Sequence, residues 1–455
     1  MDDDIHKYLP WFPDMKKKIT IRHLLNHTSG IRDQWQLLAI SGTRLDDVIT
    51  QEHVVKILSK QQSLNFNPGE QYSYSNSGFT MLAEIVKSVT GQSLRKFTDS
   101  AIFRPLQMNN THFHDDYTEI EKNRSYSYNR TDSAHFTNSI LSYSNAGATS
   151  LFTNIPDMAK WVTHFFYASP ANQELTALLT QKGKLNNGKE LTYAAGIAVD
   201  THKGWRQYSH SGDDAGYRTH VAVFPDLKMG FMVFSNLGDF NPGERLYALA
   251  YLFIKDTLQK KTVEKKAARD STTAILKDTL SLRKYVGSYI GDDGLPFSFE
   301  IKKRKLYYHI FGESNFLIKE TKDSFSIPDA PEIKFAFAVK GKDTTCDLST
   351  PDQLYHLRKY VKDTSQTDKI LLAYMGTYYC PELGCKYEIV LKDHQLMLTN
   401  AKYNDTKLTL VNTNYLTNDN RWVNHLVMLR DAKNNITGFE VNSGRIMHLR
   451  FDKIK

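Results

Sequence analysis

The spacing of apolar residues changes character along the chain. In "GFTMLAEIVKSVTG", Leu82, Ile85, Val86 and Val89 recur at helical spacing, Asn76 or Ser77 can cap the start, and Gly91 follows the end. "ITIRHLLNHTSGI", residues 19–31, predicts a helix with Leu24 and Leu25 inward, closed by a His27-Thr28-Ser29-Gly30 turn in which His27 is structural. Residues 19–110 as a whole predict helices and loops. From 192 to 236 the runs shorten: "TYAAGIAVD", "WRQYSHSG", "THVAVF" and "MGFMVFSN" are β-type segments split by the turn signals "THKG" and "PDLK". They predict an antiparallel meander. "NPGERLYALAYLFIKDTL" then returns to helical spacing, with Asn241 as cap and Pro242 in the first turn. A meander followed by such a helix packs as sheet against helix.

Beyond residue 258 the pattern changes again. Residues 259–280 are charged and poor in turn residues, and read as a partly helical linker. After it the chain repeats itself. Tyr285-Val286-Gly287-Ser288-Tyr289 matches Tyr374-Met375-Gly376-Thr377-Tyr378, and Phe299-Glu300-Ile301 matches Tyr387-Glu388-Ile389. His356-Leu357-Arg358 is echoed by His448-Leu449-Arg450. A unit this long exceeds the solenoid repeats and indicates two tandem β modules, 281–362 and 370–455. Alternation in "KLYYHI" and "KYEIVL" supports strands. The first 258 residues form the remaining domain.

At 455 residues the chain exceeds one ordinary core, as this division requires. No apolar run approaches the roughly 20 residues of a membrane helix, and "MDDDIHKYLPWFP" has no apolar stretch of signal-peptide type. The net charge of +8 sits almost wholly in residues 261–455, with 31 Lys+Arg against 24 Asp+Glu; residues 1–260 hold 27 against 26. This basic half reads as a solvated surface, or as attraction to an anionic wall or membrane surface. Scattered charge without a recognition motif excludes nucleic acid as a partner. In "CPELGC", Cys380 and Cys385 flank a turn where either a hairpin disulfide or two thiols fit. A zinc site there lacks a second Cys/His pair.

Three stretches bear on chemistry. In "GEQYSYSNSGF", residues 69–79, Tyr74 and Asn76 stand two apart at a helix entrance and can project into one cleft. A phenol is a base at neutral pH only when a neighbouring cation lowers its pKa, and an adjacent amide can hold a substrate carbonyl. In "SHSGDDAGYRTHVAVFPD", His210-Ser211-Gly212 ends a predicted strand, where glycine admits another backbone. Taken alone, each is an ordinary loop or strand end.

Together with "KYLPWFP", "LLNHTSGI", "IFRPLQMNNTHF" and "GATSLFTNIPDMAKW", in this order over residues 1–258, they resemble the serine β-lactamase-related hydrolases. These include class C β-lactamases, D-alanyl-D-alanine carboxypeptidases, D-aminopeptidases and esterases. Gln107 departs from the glycine usual in that family. The resemblance implies an α/β (α+β type) domain with an antiparallel sheet and helices. It implies Tyr74 as the catalytic tyrosine, Asn76 as the orienting amide, and His210-Ser211-Gly212 in place of the Lys-Thr-Gly of β-lactamases. It also implies the Asp213 N–H as an oxyanion donor, no cofactor, and an extracytoplasmic location. A neutral His210 cannot clamp a substrate carboxylate as Lys⁺ would, which favours a small peptide, amide or ester over β-lactams.

The family's nucleophile is the Ser of an S-x-x-K helix that precedes all these motifs, and the chain begins at the segment that follows it. Ser93-Leu94-Arg95-Lys96 lies after Tyr74, and its Ser reads as an N-cap. Ser281-Leu282-Arg283-Lys284 has Ile370 and Ala373 as its repeat counterparts. His112-x-His114-x-Asp116 imitates a metallo-hydrolase motif, but Tyr117 stands where that motif has its next His, so a metal is not expected. Two readings follow. The chain is an N-terminal truncation of an active hydrolase, itself inactive and poorly soluble because apolar surface and a sheet edge are exposed. Alternatively it is a non-catalytic protein that holds peptides or wall fragments. Loss of a whole segment, rather than of single residues, favours truncation.

Overall fold

The meander expected over residues 192–236 is present as four antiparallel strands in sequence order. The computed structural model describes the chain except residues 167–169, 256–279, 293, 295, 311–312, 329, 342, 351–353, 362–366 and 455. The expected linker, 259–280, lies outside the described residues but for Leu280. The first half runs α1 (Ile21–Leu25), α2 (Gln34–Ile40), α3 (Gln51–Leu58), α4 (Asn76–Thr90), α5 (Leu94–Thr98), β1 (His112–Phe113), β2 (Ser127–Arg130), β3 (Phe136–Ser139) and β4 (Leu151–Phe152). It continues through α6 (Ile155–His164), α7 (Pro170–Thr180), β5 (Ala198–His202), β6 (Trp205–Asp214), β7 (Tyr217–Phe224), β8 (Met229–Ser235) and α8 (Pro242–Ile254). Its sheets are β1-β4, β2-β3 and β5-β6-β7-β8. This is the α/β domain of helices and small antiparallel sheets that the resemblance implied.

The helix α8 packs on the meander because Leu246, Ala250 and Ile254, one per turn, meet Ala222, Phe224 and Phe231 in a fully buried cluster. Burial of each larger side chain contributes about 1.5–3 kcal/mol. Asn241 Oδ1 accepts the Glu244 N–H at 3.0 Å and so caps the helix. No helix among the described residues is long and apolar enough to cross a membrane.

The face of α4 differs from the apolar stripe. Ser77, Gly78, Thr80, Met81, Ala83 and Ile85 are buried, whereas Val89 is 63% exposed. The cause is close packing: a Cβ on Gly78 would lie 3.2 Å from Leu24 O of α1. Small residues therefore face the neighbouring backbone. Leu24 is buried as expected, but Leu25 only partly.

Gln107 sits in the turn after α5 at φ 57°, the left-handed region where a side chain is disfavoured. Replacing Gln107 with glycine is expected to raise stability by about 1 kcal/mol, read from thermal or urea unfolding. Unchanged or lower stability would mean that contacts of the Gln107 side chain outweigh the backbone strain.

The C-terminal half contains two nine-stranded antiparallel near-barrels. The first runs from β9 (Gly287–Gly291), β10 (Pro296–Lys302), β11 (Lys305–Ile310), β12 (Glu313–Phe316) and β13 (Ile318–Lys319) to β14 (Ser324–Ile327), β15 (Ala330–Lys340), β16 (Asp343–Ser349) and β17 (Leu354–Tyr360). The second comprises β18 (Gly376–Cys380), β19 (Cys385–Lys392), β20 (Gln395–Asn400), β21 (Tyr403–Lys407), β22 (Thr409–Asn412), β23 (Tyr415–Thr417), β24 (His425–Arg430), β25 (Ile436–Ser443) and β26 (Ile446–Lys453). In each, the first strand pairs with the second and the last, and the strand orders β12-β11-β10-β9-β17-β16-β15-β14-β13 and β21-β20-β19-β18-β26-β25-β24-β23-β22 are the same topology.

The repeated Tyr-x-Gly-x-Tyr has the same use twice. Tyr289 Oη donates to Tyr285 O at 3.0 Å, and Tyr378 Oη donates to Tyr374 O at 2.6 Å. The intervening Gly287 and Gly376 take φ of 138° and 152°. Both second tyrosines are fully buried, so a partner for the hydroxyl is obligatory.

By contacts the chain divides into two compact units. One comprises Met1–Gln34, Arg44–Ser59 and the chain from Phe66 through α8. The other comprises Trp35–Thr43, Lys60–Asn65 and the two near-barrels. Within the second unit, Tyr387 Oη donates to Ile40 O at 2.9 Å and Tyr403 Oη to Ala39 O at 2.7 Å. Cys380 and Cys385 face each other across β18 and β19 as thiols. Burial pushes the Cys385 thiol up to about 12, which makes it unreactive at neutral pH.

In the second near-barrel His425 is 1% exposed and stacks on Tyr415, ring centroids 5.5 Å apart. Burial pulls its pKa from 6.5 to about 4. The folded form refuses a proton that the unfolded form accepts, so stability is full above about 6.5 and falls as pH drops toward 4. The loss is on the order of 3 kcal/mol. His425→Phe is expected to flatten that slope, measured by urea unfolding at several pH values; an unchanged slope assigns the acid sensitivity to other groups.

Candidate active site

The loop that enters α4 must first find partners for the free N–H groups of the helix start. Ser75 occupies the N-cap position but makes no side-chain cap, and Asn76 is the first helical residue. Neither Asn76 nor Ser77 is the cap that the spacing suggested. Instead Asp33 Oδ2 accepts the Asn76 N–H at 2.9 Å and Asn76 Nδ2 at 2.7 Å, while Ser77 Oγ donates to Arg32 O at 2.6 Å. A carboxylate at a helix N-terminus is doubly suited, as acceptor and as counter-charge to the dipole. It also fixes the orientation of the Asn76 carboxamide.

His27 sets the other side of the loop. It is 1% exposed, at φ 55°, and its Nδ1 accepts the Ser75 N–H at 3.1 Å while its carbonyl accepts the Ser73 N–H at 2.9 Å. Because a backbone N–H can only donate, Nδ1 is unprotonated and a neutral ring carries its proton on Nε2. The ring lies 4.0 Å from the Tyr74 ring, 5.2 Å from Phe79 and 4.8 Å from Tyr193, centroid to centroid. His27 is structural, as expected, and the structure it supports is the Tyr74 loop.

Facing this loop is the end of β6. His210 stands 6.3 Å from Tyr74 between ring centroids. Its Nε2 is 3.0 Å from Tyr193 Oη, and its Nδ1 is 2.6 Å from Ser211 O. A carbonyl can only accept, so Nδ1 carries the proton and Nε2 accepts from Tyr193. Burial holds the imidazole below 6.5 against the opposing Ser211 bond, so His210 is neutral at pH 7. Tyr193 is itself pushed up, first by burial and then by Tyr74 and Tyr72.

The pairing of β5 with β6 ends at Ala198–Ser209, whereas β7 pairs with β6 through Asp214. Among the described residues, therefore, His210–Asp214 have a strand partner on one side only. Gly212 lies opposite Thr219, and a Cβ there would sit 2.3 Å from Thr219 Oγ1. Ser211 and Asp213 are exposed, and the Asp213 carboxylate is paired with Arg218 Nη1 at 2.5 Å. Arg218 Nη1 also donates to Ala215 O and Tyr217 O, at 3.0 and 2.7 Å, which pins the turn between β6 and β7.

Three groups at this site had no expectation attached: Asp33, Tyr193 and Asp214. Asp214 accepts from Tyr143 Oη and from the Ser150 and Ala215 N–H groups, yet burial outweighs these bonds and pushes its carboxyl up to about 7. Each S-x-x-K segment has partners of its own. Ser93 Oγ accepts the Lys96 N–H at 3.4 Å as the N-cap of α5. Lys284 Nζ pairs with Asp323 at 2.6 Å.

The meander is thus backed by α8, and the His-Ser-Gly end of β6 stands beside the Tyr-Ser-Asn loop. The Beta-lactamase family profile matches residues 1–254, more than half of the chain, and the chain belongs to that family. Penicillin-binding protein 4* of Bacillus subtilis is 26% identical over 334 residues, 69% of this chain and 71% of that protein. A D-aminopeptidase of Brucella anthropi is 25% identical over 218 residues, 48% of this chain and 41% of that protein. The chain thus spans less than half the length of this D-aminopeptidase. Among solved structures, the octameric penicillin-binding protein homologue from Pyrococcus abyssi superposes with a TM-score of 0.49 at 19% identity, covering 79% of this chain and 82% of that one.

Proposed function

We propose serine-hydrolase function, through an acyl-enzyme, on a small peptide, amide or ester. The observation that supports this best is the one-sided strand end His210–Asp214 beside Tyr74. A substrate backbone laid along that edge would have its carbonyl near the Asp213 N–H, the proposed oxyanion donor, with Gly212 admitting its close approach. Tyr74 moves the proton between nucleophile and leaving group, and Asn76, oriented by Asp33, holds the substrate amide. Neutral His210 offers no positive charge, so the favoured substrates lack a carboxylate at that point. Family membership supports an extracytoplasmic location.

The nucleophile is assigned to neither S-x-x-K segment, since Ser93 caps α5 and Lys284 is ion-paired. The 455 residues alone are then expected to be inactive. The test is labelling with a fluorophosphonate or a fluorescent penicillin, applied to these residues and to the protein isolated from its native cells. Labelling of the native protein alone is the expected outcome. Labelling of the 455 residues that disappears in Ser93→Ala or Ser281→Ala would reassign the nucleophile. Peptide binding without labelling of either sample would establish a non-catalytic binding protein instead.

A further inference from the structure

We propose that His112, His114 and Glu119 form a binding site for a divalent transition-metal ion of the zinc type, apart from the site described above. His112 and His114 alternate along an extended segment that begins with β1, which places both imidazoles on one side. The pairing of β1 with β4 sets His112 opposite Phe152, and the His114 N–H donates to Ser150 O at 2.8 Å. The Phe152 ring stacks on His114 at 4.4 Å and lies tilted against His112 at 5.6 Å. The two imidazoles are therefore held before any ligand arrives.

Their nitrogens converge on carboxylates. One donor atom from each of His112, His114 and Glu119 lies within 4.8 Å of the others. His114 is 3% exposed, and its Nδ1 has no hydrogen-bond partner, standing 3.6 Å from Glu119 Oε2. His112 Nε2 is likewise buried without a hydrogen bond, 3.6 Å from Glu121 Oε2. A buried polar atom left unbonded costs about 1–3 kcal/mol, and this pocket holds two, both beside carboxylates. A metal ion satisfies both nitrogens at once. In a tetrahedral site with bonds of about 2.0–2.1 Å, donor atoms lie roughly 3.3–3.5 Å apart. The His114–Glu119 separation is already close to that, and small side-chain rotations bring in His112.

Arg95 sets the character of the site. Its guanidinium grips Glu119 with Nη1–Oε2 at 2.6 Å and Nη2–Oε1 at 2.8 Å, and reaches Asp115 at 3.2 Å. Each carboxylate oxygen keeps a lone pair, so Arg95 orients Glu119 as a ligand rather than consuming it. Its positive charge weakens the hold on any cation. Two imidazoles with one carboxylate favour zinc, cobalt or nickel over calcium or magnesium, which take oxygen ligands. The ligand set is not the metallo-hydrolase motif suggested by "HFHDD". Asp116 turns away to accept from the Thr118 N–H and Oγ1, and Glu119 takes the third place.

The test is calorimetric titration of the chelator-treated chain with Zn²⁺, repeated with Co²⁺ under visible absorption. One equivalent is expected to bind and to raise the melting temperature. His112→Ala and Glu119→Gln should each weaken binding by about tenfold or more. His135→Ala, which removes an exposed His–Asp pair, should leave binding unchanged. Should His112→Ala fail to fold, His112→Gln carries the same test. Absence of binding, or an affinity that survives both ligand substitutions, or one that falls equally with His135→Ala, overturns the proposal.

Discussion

Replacing His27 with alanine is expected to destabilise the α4 region by about 4 kcal/mol, the cost of removing a large buried ring from a packed site. The ring fills the space between Tyr74, Phe79 and Tyr193, and its Nδ1 is the acceptor for the Ser75 N–H at 3.1 Å. The two contributions separate by substitution. His27→Phe keeps a ring but strands the amide, at a cost of about 1–3 kcal/mol. His27→Asn tolerates the left-handed backbone at φ 55° and can still accept the amide proton, but leaves a cavity. Hydrogen exchange of peptides covering α4 measures the effect locally, where a global melt of a two-unit chain would mix transitions. If His27→Ala left α4 protection within about tenfold of the parent, the ring would not be the support of the Tyr74 loop.

The parts of this fold that were legible in the sequence are those made by neighbours along the chain. The meander, the cap of α8 by Asn241 and the two tandem modules all follow from spacing and turn residues. The Tyr-x-Gly-x-Tyr repeat was visible as a repeat; its reason, a hydroxyl returning to a carbonyl four residues earlier, was not. The members of the proposed site, Tyr74, Asn76 and His210, were named through resemblance rather than periodicity, and all three are half-buried. The supports of that site were not legible. Asp33 caps a helix that starts 43 positions later, and Tyr193 meets His210 across 17. The carboxyl of Asp214 is bound by Tyr143 from a distant loop. Polar groups buried by tertiary packing must take whatever partner the fold brings, and that choice leaves no local pattern. The same holds for the packing face of α4, where close approach to α1 overrode the apolar stripe.

On the proposed function, Tyr74→Phe in the active enzyme is expected to lower kcat by about 10²–10⁴-fold, the span attributed to a single positioned acid–base group. KM should change little, because the lost hydroxyl acts on the proton in the transition state. The fold should be retained: phenylalanine keeps the ring that packs 4.0 Å from His27 and 6.3 Å from His210. The competing candidate is Tyr193, whose hydroxyl is committed to His210 Nε2 at 3.0 Å. Burial and the neighbouring phenols Tyr74 and Tyr72 push Tyr193 further from ionisation, so it is unsuited to accept and return a proton near neutral pH. Tyr193→Phe should therefore reduce activity less than Tyr74→Phe, by releasing His210 rather than by removing the proton carrier. Steady-state kinetics on an aryl ester and an amino-acid amide, with acylation followed separately by fluorescent penicillin, distinguish the two. Full activity in Tyr74→Phe together with its loss in Tyr193→Phe would move the acid–base role from the α4 loop to Tyr193, in the segment before β5.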